Sequence, residues 1–250
     1  SGEYHLFAPK RDSQYAVWHG RIKPEEAIQE LYKPDHLHYG NQLLSVLKEL
    51  EPSVVYCLNE EQAEFVEDLD RSFKLETDTL VDALTYCRMI KTDYELGLMR
   101  KAAAVNNVAH LEVMKSVKPG MHEYEAKAIF DFHQIRNGLL QPAYNGIHAG
   151  GENSAILHYV ENNKEIRDGE LYLIDAGFEY KGYASDFTRT YPVNGTFTEM
   201  QSAIYQIVLH ALDKSIEMVQ PGVKMEDLHL NACRIILEGL KEVGIVKGDV

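Results

Sequence analysis

Cysteine is scarce: three residues in 250, with no C-x-x-C pair. Cys57, Cys87 and Cys233 lie far apart, which excludes a disulfide framework and a cysteine zinc site. They predict reduced, buried thiols in a cytoplasmic protein. Basic residues are also short, 25 against 39 acidic ones, for a net charge of −14. With no basic patch to grip phosphates, nucleic acid is excluded as a partner. No uncharged apolar run approaches the ~18 residues of a membrane span. The longest uncharged stretch, 201–212, is interrupted by Ser202, Gln206 and His210. The N-terminal residues lack the basic, apolar, small order of a signal peptide. No G-x-S-x-G or H-E-x-x-H motif is present, so nucleophilic serine and helical zinc-protease chemistry have no support.

What is present is the composition of a packed globular protein, 45% hydrophobic and 26% charged. The first 88 residues alternate short strands and helices. Apolar spacing predicts strands at 5–8, 15–18 and 54–58, the first two as a hairpin, and helices at 24–31, 41–50, 61–70 and 78–87. This α/β unit contains no G-x-G-x-x-G. It begins inside a strand pattern, so an earlier strand is expected to be missing. His36 and His38 fall on one strand face, where packing or surface roles are expected.

Thr92 and Glu95 form a capping box that opens a long helix, stopped by Pro119-Gly120. A shorter helix follows over 122–137. Strands are expected at 143–148, 155–160, 170–176 and 183–191. The pattern then restarts: Thr198 and Gln201 cap a second long helix, Pro221-Gly222 ends it, and another helix spans 225–243. This reads as an internal duplication of helix, Pro-Gly, helix, strands. The second copy reaches Val250 before any strand, so the chain is expected to be a piece of something longer.

The chemistry concentrates in LYLIDAGFEYKGYASDFTRTYPVNG, residues 171–195. With a turn near Tyr180-Lys181, Asp175 and Asp186 face each other across two strands. Leu171 and Leu173 share the Asp175 face, so the carboxylates are expected to be shielded from water. Like charges in that position require a cation or a shared proton. Oxygen ligands suit hard divalent ions, with zinc or cobalt as alternatives. Thr188 and Thr190 alternate onto the same face, where their hydroxyls would orient the ligands. Two solvent-facing turn caps are the competing reading. His158 is expected in an apolar strand, where a histidine is ordinarily a hydrogen-bonded core residue.

At these residues the sequence resembles the pita-bread metallopeptidases, and among them the aminopeptidase P family of Xaa-Pro aminopeptidases. GENSAILHY (151–159) and DGELYLIDAGFEYKGYASDFTRTYPVNGTFT (168–198) carry the likeness, with YAVWHGRI (15–22) and GIVKGDV (244–250) matching more weakly. The resemblance implies an α/β (α+β) fold. A partial N-terminal α/β domain, residues 1–88, would precede the first half of a pita-bread catalytic domain, residues 89–250. It implies two divalent metal ions, usually manganese, with Asp175 binding one and Asp186 bridging both. His158 would be catalytic, beside the scissile bond and contacting substrate, and Tyr144 would lie near the metals and substrate. The implied reaction removes an N-terminal residue preceding proline, by a hydroxide held on the metal pair.

Peptides with proline second would be the substrates, and a homo-oligomer the assembly. A histidine and two glutamates that the family site also uses have no counterpart in these residues. The chain alone is therefore expected to bind metal weakly and to be inactive. Prolidase, which cleaves Xaa-Pro dipeptides, is the nearest alternative, and a non-catalytic pita-bread binding module is the other. Methionine aminopeptidases and creatinase-like enzymes fit less well: the former lack the α/β domain, the latter the Asp pair.

Overall fold

The computed structural model describes residues 2–248. The chain divides into two compact units, Ser1–Lys91 and Thr92–Val250.

In the first unit, β1 (His5–Ala8) is followed by α1 (Ser13–His19), α2 (Glu25–Tyr32), β2 (His36–Tyr39) and α3 (Leu43–Leu50). Then come β3 (Val55–Tyr56), α4 (Glu60–Leu69), β4 (Leu75–Glu76) and α5 (Asp78–Met89). The strands form two parallel ladders, β1 with β2 and β3 with β4. The hairpin expected over residues 5–18 does not form. Residues 15–18 are helical because Asp12 caps the Tyr15 N–H at 2.9 Å and Gly20, at φ +85°, ends the turn. Local capping overrides the strand preference of Tyr15, Val17 and Trp18. The thiols differ from expectation too: all three are free, but only Cys57 is buried, while Cys87 on α5 is exposed.

The second unit opens with α6 (Asp93–Ser116) and α7 (Glu123–Arg136). Six strands follow: β5 (Gln141–Pro142), β6 (Ile147–Gly150), β7 (Leu171–Ala176), β8 (Phe178–Tyr180), β9 (Tyr183–Ala184) and β10 (Phe187–Pro192). They make two antiparallel sheets, ordered β10-β7-β6 and β5-β8-β9. The helical pair α8 (Glu199–Glu217) and α9 (Met225–Glu242) completes the unit. The two long helices begin alike: Thr92 and Thr198 both sit at φ −69°, ψ 164° with reciprocal capping boxes. The turns after them both use a left-handed glycine, Gly120 at φ +89° and Gly222 at φ +93°. That equivalence matches the duplication read from the sequence.

The core lies where α6 and α7 cover one face of the β6–β7–β10 sheet. Along β7, Tyr172, Ile174 and Ala176 point inward and are almost wholly buried. They pack with Val105, Ala109, Val113, Ala126, Phe130 and Phe178. Strand alternation therefore sends Leu173 and Asp175 to the opposite face. There Ile147, Ala149, Tyr159 and Leu173 form a second, smaller cluster. Among the described residues no helix is long and apolar enough to cross a membrane.

Candidate metal centre

The hairpin carrying the two aspartates turns at Lys181-Gly182, both at positive φ (+51° and +84°), so Tyr180 pairs with Tyr183. Two consecutive left-handed residues suit the twist of a tight hairpin. The turn lies one residue later than the sequence suggests, which shifts every cross-strand partner. Thr188, not Asp186, stands opposite Asp175, and Thr190 stands opposite Leu173. Asp186 falls in the break between β9 and β10. It is exposed while Asp175 is half-buried, so only one carboxylate is shielded as expected.

The break is built around Gly177. A Cβ there would lie 1.8 Å from the Ser185 carbonyl oxygen, so no larger residue fits. Ser185 clamps the junction: its N–H donates to the Phe178 carbonyl at 2.9 Å, and its Oγ accepts the Phe178 N–H at 3.1 Å. From beneath, Asn106 Nδ2 donates to the Ala176 carbonyl at 3.1 Å, with His110 Nε2 3.2 Å from the same oxygen. Burial lowers the His110 pKa.

Despite the shifted register, the aspartates converge on Tyr144. Its hydroxyl lies 2.5 Å from Asp175 Oδ1 and 2.8 Å from Asp186 Oδ1. A phenol has one proton and can donate to one of them at a time. Burial first, then these hydrogen bonds, raises the Tyr144 pKa well above that of an ordinary phenol. The second carboxylate contact is left without a proton, so the cluster has more anionic oxygen than donors. A cation would satisfy it, and an all-oxygen donor set fits a hard divalent ion. The residues present fit the implied metal, but two carboxylates fall short of a complete ligand set.

His158 is placed differently from expectation. Residues 155–160 form no strand; Gly151–Ala155 is a 3-10 turn and His158 sits exposed in the turn that follows. The cause is Glu123, a wholly buried carboxylate at the start of α7. Its Oε1 accepts from the Gly150 N–H at 2.7 Å and Asn153 Nδ2 at 3.0 Å. Its Oε2 accepts from the Tyr159 hydroxyl at 2.7 Å and the Lys164 N–H at 2.9 Å. These bonds wrap residues 150–164 around one side chain, and burial with the Glu123 bond pushes the Tyr159 pKa up to about 12. The His158 ring takes no part in the bonds joining Tyr144, Asp175 and Asp186. The histidine buried in a strand is His148 on β6, with Nδ1 3.0 Å from the Tyr172 hydroxyl. Its Nε2 has no hydrogen-bond partner and lies by a cavity of about 460 Å³ that Tyr144 also lines.

Residues 97–247 match the profile of metallopeptidase family M24, and residues 1–56 that of the aminopeptidase P N-terminal domain. The chain is 37% identical to Xaa-Pro dipeptidase of Mus musculus, over 100% of this chain and 53% of that protein. It is 37% identical to Xaa-Pro aminopeptidase of Escherichia coli K12, over 98% of this chain and 59% of that one. Among solved structures, proline aminopeptidase P II from Yersinia pestis superimposes with a TM-score of 0.91 at 36% identity, covering 99% of this chain and 60% of that one. Zinc-substituted E. coli aminopeptidase P in complex with product gives 0.91 at 35% identity, with the same coverage. The chain spans about half the length of the curated relatives it matches. Its mixed helix and sheet architecture is that of aminopeptidase P over this span, a partial pita-bread domain preceded by an α/β unit.

Proposed function

The chain belongs to metallopeptidase family M24, and on that premise we propose that Tyr144, Asp175 and Asp186 belong to a centre that hydrolyses the bond before a proline. The observation that supports this is the single Tyr144 hydroxyl shared between two carboxylates, which leaves negative charge for a cation to balance.

Asp175 and Asp186 would hold the divalent ions, with manganese favoured by the oxygen donors and zinc or cobalt as alternatives. Bound divalent ions supply an activated water nucleophile near neutral pH and charge stabilisation at the carbonyl. The chain's own residues do the rest. Thr188, which stands opposite Asp175, and Thr190 beyond it would orient the metal ligands through their hydroxyls. Tyr144 fixes the separation of the two carboxylates. His158, exposed on its Glu123-anchored loop, is free to contact substrate and donate a hydrogen bond to the carbonyl oxygen or prolyl nitrogen as charge develops. An amide to proline carries no N–H, so recognition must come from shape and from groups such as His158. The reading carries with it a cytoplasmic, self-associating protein and a division into domains 1–88 and 89–250. These 250 residues supply two of the five ligands that the resemblance implies, so the chain by itself would bind metal weakly and would not turn over.

The test is Asp186→Asn in the protein as its native gene produces it. Metal content and Xaa-Pro hydrolysis should fall together; retained activity would overturn the assignment. Substrate length separates the two family activities. Gly-Pro-Phe cut as fast as Gly-Pro supports an aminopeptidase, whereas cleavage confined to Gly-Pro supports a dipeptidase. Intact metal-free folding with neither activity would point to a binding module.

A further inference from the structure

The first unit contains a second constellation of ligand atoms, built by strand register. The parallel β1–β2 ladder sets His5 opposite His36 and Phe7 opposite His38. All four rings therefore share one face of the ladder. The His5 ring stacks on His36 at 4.5 Å and on His38 at 5.2 Å, while Phe7 backs His38 at 4.9 Å. Glu3 completes the group. Its Oε2 lies 3.7 Å from His36 Nε2 and 4.0 Å from His5 Nε2. One ligand atom from each of Glu3, His5 and His36 lies within 4.8 Å of the other two.

Hydrogen bonding around the group orients it. His5 Nδ1 and His38 Nε2 are 3.0 Å apart. When His5 donates its Nδ1 proton to His38, its Nε2 carries the lone pair and looks toward Glu3 and His36. That Nε2 is buried and has no hydrogen-bond partner. A buried imidazole nitrogen with nothing to bond is costly unless something fills the position. Asp35 holds the other side by accepting the Tyr4 N–H at 2.7 Å, which fixes the backbone beside Glu3. The outer side chains are open to solvent, Glu3 52% and His36 47% exposed, so an ion has a path in and water can complete its shell.

We propose that Glu3, His5 and His36 form a site for a zinc-class divalent ion, with His38 orienting His5. Two imidazoles and a carboxylate are a ligand set zinc accepts, with water as fourth ligand. Ligand atoms around a tetrahedral zinc lie ~3.4 Å apart, given bond lengths of ~2.0–2.2 Å. Glu3 Oε2, at 3.7 Å and 4.0 Å from the two imidazole nitrogens, already lies near that spacing. The chemistry differs from the Asp175–Asp186 cluster: imidazole nitrogen selects zinc, nickel or cobalt over manganese. The ion would clip two short parallel strands, far apart in sequence, into one ladder, which is two-stranded among the described residues.

The test uses the full chain carrying Asp175→Asn and Asp186→Asn, so that the carboxylate cluster cannot contribute. After chelation, Zn2+ is titrated calorimetrically and Co2+ by its visible absorption. One Zn2+ equivalent, a tetrahedral Co2+ spectrum and a rise in thermal midpoint are expected, with Mn2+ failing to compete. Adding His36→Ala or Glu3→Gln, both at half-exposed positions, should weaken Zn2+ at least ~tenfold. His38→Ala should weaken it ~10–100-fold, the range for a partner that orients a ligand. The proposal is overturned by a parent chain that takes up no Zn2+. It is equally overturned by binding that all three substitutions leave unchanged, which would be adventitious.

Discussion

Glu123 accepts the backbone N–H of Gly150 at 2.7 Å, so a side chain in the first turn of α7 sets where the end of β6 leaves its sheet. Its other three donors, Asn153, Tyr159 and Lys164, lie along the segment that displays His158. All four contacts come from donors, which makes Glu123→Gln informative. The new amide NH2 would face donors, and the Lys164 N–H cannot reverse its role. One stranded buried donor costs about 2 kcal/mol. Urea unfolding should show that loss, and amide exchange should quicken across residues 150–164 before it does in α6. Uniform exchange in the variant would mean that the loop does not depend on Glu123.

Gly177 makes a sharper prediction, because the obstacle is backbone. An alanine Cβ would meet the Ser185 carbonyl at 1.8 Å, and no rotamer change relieves that. The strands would have to part, breaking the Phe178–Ser185 pairing and drawing Asp186 off Tyr144. Gly177→Ala should cost about 3 kcal/mol, the upper end for overpacking. Gly169→Ala is the control: its φ is +79°, but nothing lies within 4 Å, so about 1 kcal/mol of backbone strain is expected. Urea midpoints for both variants decide it. Equal losses would mean that the strands part at little cost and that the close approach at Gly177 does not require glycine.

How far the sequence could be read depended on the range of the deciding interaction. Helix starts were legible where caps are local, as at Thr92 with Glu95 and Thr198 with Gln201. The aspartate pair was legible as a cluster, yet its register was not. Lys181 adopts a left-handed conformation that a lysine gives no hint of, and the glycine after it was the available signal. The His158 segment reads as a strand by its apolar residues alone. It becomes a turn because Glu123, far back in the chain, claims its donors. Nothing within residues 155–160 encodes that partner. The parallel β1–β2 pairing is of the same kind: spacing put His36 and His38 on one face, but only the fold brings His5 and Glu3 to them.

Acid sensitivity should trace to His148. The ring is fully buried, and burial, helped by nearby Lys127 and His110, lowers its pKa from 6.5 to about 3. The unfolded chain takes up this proton near pH 6.5, while the folded protein refuses it until about pH 3. The stabilisation is therefore whole above about pH 6.5 and is lost progressively as pH falls through that window. Each pH unit inside it is worth about 1.4 kcal/mol, so moving from pH 6.5 to 5 should remove about 2 kcal/mol. His148→Gln keeps a polar group within reach of the Tyr172 hydroxyl but cannot titrate. It should be less stable than the parent at pH 7, yet lose about 2 kcal/mol less on acidification to pH 5. Urea unfolding of both proteins at the two pH values measures the difference directly. Identical pH dependence would show that the folded protein protonates His148 as readily as the unfolded chain does, and that the cavity beside its Nε2 admits enough water to solvate the charge.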